Sequence, residues 1–142
     1  MITERNSCGM LIKQINSELE KNANNALRAD NLTLSQIAVL SELDQVPEKQ
    51  LSMKQMEKKV HVAQSTLAGV VKRLEKKGFV VGAESESDRR VKVIRLTPAG
   101  EQCCRRAEKT AALHEQQLLS ALTEEEKGTF LNLLQKIRGS FH

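Results

Sequence analysis

Asp88, Arg89 and Arg90 lie within the stretch SESDRRVKVIRLTPAG, Ser85 to Gly100. Two guanidinium groups on an acid-rich turn suit one chemistry, the grip of an anion through charged hydrogen bonds. Asp88, two residues before Arg90, has the spacing to pair with that guanidinium and fix its direction; without a ligand this is an ordinary surface ion pair. A second set of cations lies upstream. Lys72, Arg73, Lys76 and Lys77 close a segment that begins with the small and polar Gln64, Ser65 and Thr66. Residues 51–100 hold eleven Lys/Arg against five Asp/Glu, a net +6, while the rest of the 142-residue chain is at −2. Charge concentrated in this way predicts a footprint for nucleic acid or another polyanion; the competing reading is a solvated mixed-charge surface.

Little else in the sequence could do chemistry. There is no P-loop, nucleophile elbow or paired-carboxylate motif, so no enzyme activity and no cofactor are expected. His61, His114 and His142 are scattered, and no set of four metal ligands forms. The three cysteines, Cys8, Cys103 and Cys104, argue against a disulfide-stapled secreted domain. As redox candidates they need access and a lowered pKa, with Arg5 near Cys8 and Arg105 and Arg106 near the pair. No apolar leader and no run of about 18 apolar residues is present, which predicts a cytoplasmic protein with no membrane partner. Three Phe, no Tyr and no Trp leave the core to aliphatic side chains.

The elements that must position these cations follow from periodicity and caps. Apolar residues from Leu11 to Leu27 recur at helical spacing and predict a first helix over about 7–29. Capping boxes at Thr33–Gln36, Ser52–Gln55 and Thr123–Glu126 predict three helix starts. The helix after Thr33 carries Leu34, Ile37, Ala38, Val39, Leu40 and Leu43 around most of its circumference and is expected to be buried. Leu51 marks a short strand. The helix after Ser52 ends near Val60, and a turn at His61 and Val62 leads to another over about 63–77, stopped by Gly78. FVVGAE and VKVIRL read as two strands of a hairpin, with Val91 and Val93 on the buried side and Ile94 a further candidate. Thr97 and Pro98 open a long helix to about Ala121, and the last helix carries Phe130, Leu131, Leu134 and Ile137. The fold class is mainly α with a small β-hairpin.

Two helices joined by a tight turn, followed directly by a hairpin, form a winged helix-turn-helix, with SESDRR as the wing tip. On the second helix of the pair, Leu67, Val70, Val71 and Leu74 share the inner face. Ser65, Ala68, Gly69, Lys72, Arg73 and Lys76 face outward, small first and basic later, as entry into a major groove requires. Gly69 either allows close approach to DNA or relieves crowding against a neighbouring helix. An arginine such as Arg90 suits a narrow minor groove.

Four stretches together resemble the MarR family of bacterial transcriptional regulators: LTLSQIAVLSEL, LSMKQMEKKVHVAQSTLAGVVKRLEKKGFV, DRRVKVIRLT and LTPAG. The resemblance covers nearly the whole chain. It implies one MarR-like domain over 1–142, with a DNA-binding lobe at about 33–97. Residues of about 1–30 and 98–142 form a helical dimerisation region. It further implies a homodimer on a pseudo-palindromic operator in double-stranded DNA, acting as a repressor relieved by a small-molecule effector or by oxidation. Ala63, Gly69 and Ile37 depart from residues common in the family. The alternative is a winged-helix protein-interaction module that does not bind DNA.

Overall fold

Side-chain caps set the helix starts. In the computed structural model, which describes residues 7–60 and 62–141, Ser7 Oγ accepts from the Met10 N–H and opens α1 (Cys8–Ala29). Thr33 and Gln36 form a reciprocal capping box at the start of α2 (Leu34–Gln45). Ser52 and Gln55 do the same for α3 (Met53–Val60), and Thr123 and Glu126 for α6 (Glu124–Gly139). Each box satisfies two backbone N–H donors that the helix start leaves without partners. Between them lie β1 (Gln50–Ser52), α4 (Gln64–Lys76), β2 (Val80–Glu84), β3 (Lys92–Leu96) and α5 (Pro98–Leu118). The expected turn residue His61 lies outside the described residues, as do Arg5 and His142.

Two helix ends close in the same way. Asn31 (φ 57°) follows α1 and Gly78 (φ 77°) follows α4. In each case the next residue's N–H reaches back to a carbonyl five positions earlier: Leu32 to Leu27, and Phe79 to Leu74. This is a Schellman end, which needs a left-handed residue, and glycine or asparagine adopts that conformation at least cost.

The strands form an antiparallel sheet in the order β1-β3-β2, with Leu51 opposite Ile94 and Gly82 opposite Ile94 on the other side. The chain divides into two compact units, Met1–Lys109 and Thr110–His142. In the first, Val39, Leu40 and Leu43 of α2, Met56 of α3, Leu67, Val70, Val71 and Leu74 of α4, and Ile94 and Leu96 of β3 form one aliphatic core. Gln36 is buried with them, its amide oxygen accepting from Lys77 Nζ at 3.2 Å. Lys77 Nζ also donates to the Asn31 carbonyl, which ties the end of α4 to the α1–α2 turn. The second unit holds α6, whose Leu131, Leu133, Leu134 and Ile137 are exposed.

Several expectations are corrected. Leu34 and Ala38 are exposed, so α2 is buried along one face rather than around most of its surface. On β3 the expected burial of Val93 and Ile94 is found, but Val91 stands exposed before the strand; Ile94 and Leu96 join the main core, and Val93 is buried on the other face of the sheet. Strand alternation cannot by itself identify the inner face when both faces carry valine or isoleucine. The long helix ends at Leu118, three residues early, followed by the turn in which Leu122 N–H meets the Leu119 carbonyl.

An ionic node joins three parts of the first unit. Asp44, at the end of α2, accepts from Lys49 Nζ at 3.1 Å and from Arg105 of α5, while Arg105 also holds Glu108 with 2.9 Å bonds. Burial raises the Asp44 pKa, but the hydrogen bonds and charges of Lys49 and Arg105 outweigh it, and the carboxyl is held below its ordinary value. A depressed carboxylate stabilises the fold at pH above its unfolded pKa and loses that contribution as pH falls through the folded value. Asp44→Asn is therefore expected to lower Tm at pH 7, with the difference from wild type shrinking below about pH 4. Thermal melts of both proteins across pH 2–7 check this; a difference that stays constant contradicts it.

Candidate nucleic-acid interface

The second helix of the pair is α4, and its local chemistry separates two faces. Leu67, Val70, Val71 and Leu74 anchor it in the core. That leaves Gln64, Ser65, Thr66, Ala68, Lys72, Arg73 and Lys76 exposed, with Gly69 partly so. Lys72, Arg73 and Lys76 make no ion pair among the described residues. Ala63 caps α4 without a side-chain hydrogen bond, so its first N–H groups have no side chain over them there. A Cβ built on Gly69 meets nothing within 4 Å. Packing against a neighbouring helix therefore does not explain this glycine.

That space yields a two-sided expectation. Gly69→Ala should raise stability by up to about 1 kcal/mol, because alanine has the higher helix propensity. If the α4 backbone approaches base edges at Gly69, the same variant should bind its best duplex more weakly. Thermal melts and duplex titrations of the one variant read both effects.

The wing is built by its own loop. Ser85 N–H meets the Val91 carbonyl at 2.9 Å and Val91 N–H meets the Asp88 carbonyl at 3.0 Å. Asp88 Oδ1 accepts from the Arg90 backbone N–H at 3.0 Å and from its Nε at 3.3 Å. The pairing anticipated from their spacing is formed, and the Arg90 side chain stands 91% exposed beyond it. Arg89 is exposed beside it. At the base of the wing, Thr97 Oγ1 donates to the Gly78 carbonyl at 2.6 Å and accepts from the Gly100 N–H at 3.1 Å. One hydroxyl thus joins the end of α4 to the start of α5.

The thiols divide. Cys8 is exposed at the start of α1. Cys103 and Cys104 are buried, at 1% and 4% exposure. Burial pushes the Cys103 thiol up despite Arg106, and pushes Cys104 up to about 11, with Asp44 adding to the effect. Arg105, expected to activate the pair, is held by Asp44 and Glu108 instead. Neither thiol has the access or the lowered pKa of a redox sensor, which corrects that expectation for Cys103 and Cys104. Among the described residues, no group of three or more His, Cys, Asp or Glu could hold a metal ion, and no helix is long and apolar enough to cross a membrane.

Lys54 and Lys58 were not among the site residues expected from the sequence, yet both side chains are exposed and line the side of α3 nearest the wing. Their i, i+4 spacing was the available signal.

A helix pair with a cation-bearing outer face, followed by a hairpin that displays an oriented arginine, defines a winged helix-turn-helix protein. Residues 32–92 match the profile of the MarR family, and the winged-helix fold is the one its solved relatives share. A protein of Thauera aromatica, provisionally assigned as the transcriptional regulator of the hcr operon, is 34% identical over 76 residues. That match covers 54% of this chain and 46% of the relative, so the chain matches less than half of that protein's length. MepR, a transcription regulator of the Staphylococcus aureus multidrug efflux pump MepA, has the same fold (TM-score 0.84, 23% identity, 96% of this chain and 99% of that one). A cysteine-to-serine variant of E. coli MarR, solved with operator DNA, is similar at a TM-score of 0.71 and 25% identity over 91% of each chain.

Proposed function

We propose that the chain is a dimeric, sequence-specific transcriptional regulator that represses from a pseudo-palindromic operator. The observation that carries this reading is the pairing of two exposed features on one unit: the outward face of α4, small then basic, and Arg90 held by Asp88 at the wing. In this reading Gln64, Ser65, Thr66, Ala68 and Gly69 meet base edges in the major groove. Lys72, Arg73 and Lys76 meet phosphates, and Arg90, with Arg89 beside it, enters the minor groove. The likeness to a protein solved with operator DNA supports it.

The dimer is supported by apolar surface. Leu11, Ile12 and Ile15 of α1 are 43–50% exposed, and Leu131, Leu133, Leu134 and Ile137 of α6 are 38–55% exposed. Helix faces of this kind are covered in stable proteins, and two-fold symmetry in the protein matches a two-fold operator. Relief by a small effector or by oxidation completes the proposal; Cys8 is the accessible thiol on which an oxidant would act.

Sedimentation of the protein alone, then with a palindromic duplex, tests the assembly. Two chains per particle and two chains per duplex are expected. A monomer in both, or a protein that captures other proteins and no duplex, contradicts the proposal and favours an interaction module.

A further inference from the structure

The wing and α3 flank an open hollow of about 600 Å³ that none of the contacts assigned above uses. Lys54, Gln55 and Lys58 of α3 line one side, and Ser85 and Ser87 of the wing the other, with Glu48 also on its lining. Val91, exposed just before β3, supplies an apolar surface within it, with the largely buried Val93 beneath. The two serine hydroxyls lie 3.0 Å apart. Lys54 and Lys58 are exposed and make no ion pair among the described residues, whereas Lys59, on the same helix, leans on Glu42 at 3.9 Å. Ser52, at the start of α3, pairs with Val93 where β3 leaves the wing. The hollow is therefore at the wing's end of the sheet, the end that displays Arg90.

Two ammonium groups and several neutral donors beside an apolar surface match a polymer that alternates phosphate with a carbon-rich sugar. We propose that this hollow grips a sugar–phosphate strand bordering the groove that Arg90 enters, with Lys54 and Lys58 as phosphate contacts beyond those of α4. The inference rests on the DNA-binding reading above. It adds two charge contacts that hold the wing in register and carry no base preference of their own.

Each neutralised phosphate contributes about 0.9 to the slope of log affinity against log salt. A variant with both Lys54→Gln and Lys58→Gln should therefore lose about 1.8 from that slope. Between 50 and 200 mM salt its affinity should then fall roughly twelvefold less than that of wild type. The loss should be equal on a selected duplex and on a random one, Tm should be unchanged, and Lys54→Arg with Lys58→Arg should restore binding. A wild-type protein that binds no duplex overturns the DNA-binding reading and this inference together. A steep wild-type slope that the Gln variant reproduces overturns this inference alone. So does a loss confined to the selected duplex. Saturable binding of inorganic phosphate by wild type but not by the Gln variant, with equal DNA slopes, would assign the hollow to a small anion instead.

Discussion

Arg90→Ala is expected to weaken operator binding by roughly 30-fold per half-site, the scale of one good arginine contact to DNA. In a dimer on a palindrome the two losses combine, because the half-sites are far apart and share no partner, for a total near a thousandfold. The fold should not change. Arg90 bonds only through Asp88 at the exposed wing tip, and surface pairs of this kind contribute little to stability. Asp88→Ala removes the group that directs the guanidinium but leaves its charge, so its effect on binding should be smaller and of the same sign. Duplex titrations with thermal melts of both variants check the order. Equal and negligible losses contradict the role given to the wing.

The second large effect concerns the joint beneath the wing. Gly100 lies in the first turn of α5, where a Cβ would run into the Phe79 carbonyl oxygen and come within 2.6 Å of Leu96 Cδ1. Helix propensity alone would favour Gly100→Ala by up to about 1 kcal/mol. The clash with backbone cannot be relieved by a rotamer change, and overpacking of this kind costs typically about 1–3 kcal/mol and occasionally more. We expect the clash to win, with a net loss of about 2 kcal/mol and a Tm lower by roughly 5–10 °C. Because Thr97 joins the same turn to the Gly78 carbonyl, the strain falls on the joint that sets the wing against α4. Gly69→Ala is the internal control, a helical glycine with open space where its Cβ would stand. A Gly100→Ala protein as stable as wild type would contradict the close approach.

The sequence was most informative where a local rule has one physical solution. The three capping boxes, the glycine after α4, and the Asp88–Arg90 pair all depend on residues within five positions of each other. All of them are formed. The inner face of α4 was legible for the same reason, since Leu67, Val70, Val71 and Leu74 fit only one side of a helix. Less was legible where distant residues decide. Val91 looks as suitable for a core as Val93, Ile94 and Leu96, and only the extent of pairing with β1 and β2, which begins at Lys92, leaves it outside. Arg105 lies beside Cys104 in sequence, but Asp44, sixty-one residues away, claims its guanidinium. Gln36 was legible as a cap and not as a buried partner of Lys77, which lies forty-one residues on. The hollow lined by Lys54 and Lys58 escaped for the same reason, because its other wall is the wing.

The central claim is that this surface reads an operator as a dimer. Selection from a random duplex pool, followed by titration of the winning sequence across salt with wild type and Arg90→Ala, tests it most directly. A palindromic winner is expected, bound with a steep salt dependence and lost in the variant. No enriched sequence, with a shallow salt response in both proteins, would contradict it.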